Sequence, residues 1–166
     1  MKLEPKFKIN KSDRLYITDD YFSNGHWIVA RNSIQKRIDC PVSKQLQQLL
    51  CLRNGAYYDG PTGFPKEYSG DITRVIPKRD EYLPIIDTPA GVKFVGNAIH
   101  AYYFFIQKID EETREDQSFQ IYVDPSYVPL IRLGYGFAKS KLDPILILKE
   151  QDINSDLVGA VMPMRF

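Results

Sequence analysis

The sequence predicts an α+β fold built mainly from antiparallel strands, and three observations carry that expectation. Short runs rich in β-branched and aromatic residues recur along the chain, separated by clusters of Gly, Pro, Asn and Asp. Aromatic residues make up 13% of the chain, a bias toward pleated, half-buried surfaces. Only two segments have helical periodicity, and each has strands on both sides, the pattern of helices laid on a largely antiparallel sheet. At 166 residues the chain is long enough for one domain with a core that needs no staples.

In chain order, residues 14–18 and 27–31 are strands, with Ser23-Asn24-Gly25 turning between them. Val42, Leu46, Leu49, Leu50 and Arg53 fall at i, i+4, i+7, i+8 and i+11, one face of a helix. Cys40-Pro41 is its start signal and Asn54-Gly55 its stop. After the loop Asp59-Gly60-Pro61-Thr62-Gly63 come strands at 72–76 and 82–87, then a turn at Pro89-Ala90-Gly91. Residues 99–108 form a long strand, and 110–116 hold five acids in seven residues, an exposed hairpin tip before a strand at 119–123. A second helix is expected over 125–137, where Tyr127, Leu130, Ile131 and Leu133 share a face, although Pro129 and Gly134 work against it. Strands at 145–149 and 157–162 finish the chain.

Composition narrows the function classes. Lys plus Arg is 22 and Asp plus Glu 21, so the net charge of +1 excludes a globally basic nucleic-acid binder while leaving room for a local basic face. The apolar run 101–106 is far too short to span a membrane, and the first residues lack the apolar stretch of a secretory signal. Cys40 and Cys51 form no zinc motif, and two isolated cysteines point to reduced thiols in a cytoplasmic protein. No nucleophile elbow surrounds a Ser, and the Gly-rich loop at 59–65 lacks the Gly-Lys-Ser/Thr ending of a phosphate loop. His100 lies in an aromatic strand without a ligand partner at metal spacing, which reads as structural. A non-enzymatic protein without cofactor or metal is expected.

The C-terminal stretch is the most specific. Leu157-Val158-Gly159-Ala160-Val161-Met162-Pro163-Met164-Arg165-Phe166 resembles the last strand and tail of the bacterial β sliding clamps, which end in a hydrophobic strand, Met-Pro-Met-Arg and one apolar residue. Val123-Asp124-Pro125-Ser126-Tyr127-Val128-Pro129-Leu130-Ile131 resembles that family's last helix, and Asp143-Pro144-Ile145-Leu146-Ile147-Leu148 the strand after it. Phe64-Pro65 followed by Thr73-Arg74-Val75-Ile76-Pro77-Lys78 is similar to the linker into the clamp's third domain. Ser23-Asn24-Gly25-His26-Trp27-Ile28-Val29-Ala30 is similar to a second-domain strand written Thr-Asp-Gly-His-Arg-Leu-Ala, with Trp27 in place of the Arg. The matches keep the family's order over about half the chain, yet the chain has room for one clamp-like domain, or two shrunken pseudo-repeats at 1–70 and 71–166, where a clamp has three domains.

The resemblance implies a DNA-clamp type of α+β fold with two helices on one face of antiparallel sheets, and a pocket for the Gln-Leu-x-Leu-Phe motif of polymerases, loaders and repair factors. Gly25, His26, Trp27, Ile28, Pro65, Arg74, Val75, Val161, Met162, Pro163, Met164 and Arg165 would form it. Residue types agree: Met adapts to varied partners, while Arg and His at a rim orient a peptide. On composition alone, Val158 to Met162 is simply a core strand ended by Pro163. The resemblance also implies double-stranded DNA as partner if a homo-oligomeric ring closes, with Lys44, Gln48, Arg53, Arg132, Lys139 and Lys141 near phosphates. The plain alternative for those six is a solvated helix face. Three functional classes therefore stand: a phage or mobile-element processivity factor in DNA replication or repair, a non-ring decoy that captures clamp-binding factors, and a small hydrolase with an unrecognised site.

Overall fold

A computed structural model describes residues 6–10, 13–35, 41–61, 63–86 and 91–165. Cys40 of the helix start signal, Thr62, the Pro89-Ala90 turn and the terminal Phe166 lie outside the described residues. The elements are strands β1 Leu15–Ile17, β2 Tyr21–Ser23 and β3 Trp27–Ala30, helices α1 Arg31–Ile34 and α2 Pro41–Gln47, and strands β4 Gly55–Tyr57, β5 Leu83–Pro84, β6 Gly91–Val95, β7 Ala98–Ile106 and β8 Phe119–Val123. Helix α3 Val128–Ile131 and strands β9 Tyr135–Ala138, β10 Ile145–Leu148 and β11 Leu157–Val161 complete the chain. The fold is α+β with antiparallel pairing throughout its two sheets.

The large sheet has eight strands in the order β4-β1-β2-β3-β11-β10-β9-β5, and the small one is β6-β7-β8. The first half of the chain therefore supplies one four-strand block and the second half the other. They join where β3 pairs β11, with Trp27 opposite Val161, Ile28 opposite Ala160 and Val29 opposite Gly159.

Alternation decides what each face buries. Leu15, Ile17, Phe22, Trp27, Val29, Ile145, Ile147 and Val161 point to one side of the large sheet. There they meet Ile34 of α1, Val42 and Leu46 of α2, Val128, Leu130 and Ile131 of α3, and Tyr102, Phe104, Ile106, Ile121 and Val123 of the small sheet. Helices and small sheet thus share one face. The opposite face carries two smaller clusters: Ile28, Ile72 and Ala160, and Tyr82, Phe137, Leu146 and Leu148. Strands β3 and β10 are buried on both faces, which explains why they read as continuous apolar runs rather than alternating ones.

Several local expectations are corrected. Residues 72–76 form not a strand but a 3-10 turn, Ile72–Val75, because the Asp71 carboxylate accepts the Thr73 N–H at 2.9 Å and so competes with a ladder. The helix expected over 125–137 shrinks to a 3-10 turn, Pro125–Tyr127, and α3. At Gly134 a Cβ would run into the carbonyl oxygen of Leu148, so the chain turns there and enters β9 against β10. The 42–53 helix divides into α2 and a 3-10 turn, Gln48–Cys51, while Val42, Leu46 and Leu49 remain buried together. The acidic stretch is the exposed connection between β7 and β8, closed by Ile109 bridging Asp116.

Gly159 occupies the seam, where a Cβ would collide with the carbonyl oxygen of Ile28. Gly159→Val is expected to lower stability by about 1–3 kcal/mol in urea unfolding. Gly63→Ala, whose new Cβ would lie 3.9 Å from the nearest atom, should stay within about 0.5 kcal/mol of the parent. Equal losses would show that the seam tolerates a side chain.

Candidate functional site

The site grows out of the turn that starts β3. Ser23, almost fully buried, donates its hydroxyl to the Trp27 carbonyl at 2.8 Å and accepts the Gly25 N–H at 3.1 Å. The Asn24 side-chain oxygen accepts the N–H groups of His26 and Trp27 at 2.8 and 2.9 Å. Gly25 adopts φ +92, a conformation that favours glycine. These bonds leave the His26 side chain exposed at the head of β3, with its carbonyl turned toward β11.

The C-terminal tail docks there. The Met162 N–H donates to the His26 carbonyl at 2.8 Å, extending the β3–β11 ladder by one bond. Pro163, with no N–H to offer, ends that ladder and is itself buried. The Met164 N–H then donates to the Tyr122 carbonyl of β8 at 2.7 Å, so the tail passes from the large sheet to the small one.

His26, Trp27, Ile28, Val75, Pro144, Ala160, Val161 and Met162 line a shallow dent of about 160 Å³ at this end of the seam. The dent is an open surface depression with no room for an enclosed water molecule, so it suits a single side chain laid against it rather than an enclosed small molecule. Its walls are apolar. Pro144 is fixed from behind by the Tyr82 hydroxyl, which donates to the Pro144 carbonyl at 2.8 Å. Burial, aided by the negative charge of Asp143, pushes that phenol well above its ordinary value, so it is a donor at every physiological pH.

Six of the twelve residues expected at a pocket line this dent: His26, Trp27, Ile28, Val75, Val161 and Met162. Gly25 shapes the turn behind it, and exposed Arg74 precedes Val75. Pro65 is a correction. It packs against Gly55 beside β4, three strand spacings or roughly 14 Å from β3. Met164 and Arg165 are corrected too, because pairing with β8 carries them past the dent. Pro144 and Ala160 were missed. Ala160 sits in a strand whose two faces are both buried, so alternation does not show which side it takes.

The six residues expected near DNA form two groups. Lys44 and Gln48 are exposed one helical turn apart, and Arg53 follows shortly before the edge strand β4. Arg132, Lys139 and Lys141 border β9 near the other edge, where Lys139 lies 3.7 Å from Glu81. Larger open grooves of about 930 and 1100 Å³ lie near α1, lined by Asn32, Gln35, Asp156 and Leu157 among others. Among the described residues no cluster of His, Cys, Asp or Glu is arranged to hold a metal ion, and no helix is long and apolar enough to cross a membrane. No family model, curated protein or solved structure matches the chain.

Tyr82 predicts a pH dependence. Its folded pKa is raised, so its contribution to stability is complete below the ordinary phenol value of 10.0 and declines as pH rises above it. Tyr127, raised chiefly by burial, acts in the same direction. Thermal unfolding between neutral pH and pH 11 should show a falling midpoint above about pH 10. Tyr82→Phe should make that fall shallower, and an unchanged slope would remove Tyr82 as its source.

Proposed function

We propose that the chain is a reduced relative of the bacterial β sliding clamps, and that the dent receives an apolar anchor of a linear peptide of the Gln-Leu-x-Leu-Phe kind. One observation carries this reading. The segments 23–30, 73–78 and 157–166 are linked in the sequence only by their clamp-like order, and residues from all three line a single depression. The shared placement of helices on one face of antiparallel sheets is compatible with it.

Recognition would rest on apolar contact. A Leu or Phe side chain would cover Ile28, Val75 and Ala160, and the flexible thioether of Met162 would move to deepen the dent. Burying one such anchor contributes roughly 1.5–3 kcal/mol before ordering costs. The backbone of an extended peptide would run past exposed His26 and Arg74, which offer donors to its carbonyls. The reading is non-enzymatic: a recruitment or processivity role in DNA replication or repair, whose partners are polymerases and other motif-bearing proteins.

A ring around double-stranded DNA would use Lys44, Gln48, Arg53, Arg132, Lys139 and Lys141 as sequence-independent phosphate contacts. The capture form, without a ring, is favoured by a specific feature. The large sheet ends in strands of three and two residues, β4 and β5, which give a neighbouring subunit little backbone to pair with.

Calorimetric titration of a Gln-Leu-x-Leu-Phe peptide tests the reading. Met162→Asp is expected to weaken binding at least about tenfold. Met164→Asp, past the dent, should change it far less. No binding by the parent protein, or equal losses in both variants, would overturn the proposal. The mass of the protein in the same solution separates the two forms: 19.2 kDa for the capture form, a closed multiple of it for a ring.

A further inference from the structure

The face of the large sheet opposite the helices carries an unusual surface at its β4 end. Tyr16 pairs with Ala56, and Ala56 with Lys66, so these positions share one face, and Arg14 and Tyr58 join them two residues along their strands. Tyr58, 43% exposed, lies beneath two cations: the Arg14 guanidinium is 5.8 Å from its ring centre and the Lys66 ammonium 5.1 Å. Tyr68, 38% exposed, rests on Tyr16 at 4.8 Å between centroids. Its ring also covers Gly70, where a Cβ would collide with it. Both tyrosines are thus held in place with ring surface open to solvent.

Among the described residues the one ion pair joins Lys139 to Glu81, so neither Arg14 nor Lys66 has a carboxylate at ion-pair distance. Both cations lie against the Tyr58 ring. Phe64, 94% exposed, stands two residues before Lys66 and adds a third open ring.

We propose that this face binds single-stranded nucleic acid, with bases stacked on Tyr58 and Tyr68 and phosphates drawn to Arg14 and Lys66. Fixed rings flanked by unpaired cations match a strand in which bases and phosphates alternate. A duplex keeps its base faces covered and offers the rings nothing to stack on. An acidic peptide would meet the cations but leave the rings unused. The site lies on the face opposite α2, which carries Lys44, and it is independent of the peptide dent.

Fluorescence anisotropy with a labelled thymidine dodecamer and a duplex of the same length tests the inference. The single strand should bind more tightly than the duplex, and more weakly as salt rises. Tyr58→Ala should cost about tenfold in affinity with an unchanged salt slope. Lys66→Gln should reduce the slope of log affinity against log salt by about 0.7, the value for one contact to a single strand. Tyr68→Leu, on a separate ring, should also weaken binding and guards against a Tyr58→Ala protein that fails to fold. Four results would overturn the proposal: no binding at low salt, preference for the duplex, equal competition by polyglutamate, or a loss in Lys149→Gln as large as in Lys66→Gln. None of them would bear on peptide binding at Met162.

Discussion

The antiparallel seam between β3 and β11 is the constraint on which the rest depends. It joins strands separated by more than half the chain, and it turns two four-strand blocks into one sheet. Close approach at the seam needs the missing side chain of Gly159. The hydrogen bond from the Met162 N–H to the His26 carbonyl then carries the tail across the end of the sheet. That bond and the one from the Met164 N–H to the Tyr122 carbonyl fix the course of residues 162–164 across the two sheets. The candidate site is therefore a by-product of how the sheet closes.

The two faces of the large sheet do different work. One is covered by helices and the small sheet and holds most of the buried apolar residues. Among the described residues the other is covered in patches, by the Ile72–Val75 turn and by the segment around Tyr82. The dent opens at the edge of the first patch, and the aromatic, basic surface around Tyr58 lies beyond it. Both proposed binding surfaces thus occupy parts of the sheet that the described residues leave uncovered, where a partner adds burial without displacing core packing.

Legibility in the sequence followed the apolar patterning of each element and the reach of its contacts. The long strand β7 and the strands β8, β10 and β11 were readable because four or more largely apolar residues run together, bounded by turn residues. The three-residue strands β2 and β4 were not, and neither was the five-residue β6, which starts at the glycine of an expected turn; β1, also three residues, was read. The 72–76 stretch reads as a strand by composition, yet a local hydrogen bond from Thr73 to Asp71 turns it. Gly134 reads as a weakness in a helix when it is the point where β9 must pass the Leu148 carbonyl, a contact fourteen residues away. At the site, His26, Val75 and Met162 were legible only through family resemblance, because nothing local ties them together. Pro65 was misplaced for the same reason: order along the chain does not say on which side of three intervening strands a residue lands.

Hydrogen exchange at single amides tests the seam most directly. The Ala160, Val161 and Met162 amides should be strongly protected and should exchange together with those of β3, through one cooperative opening. Protection of β3 alongside a Met162 amide that exchanges as fast as in an unstructured peptide would contradict the account, because the tail would then not be part of the sheet.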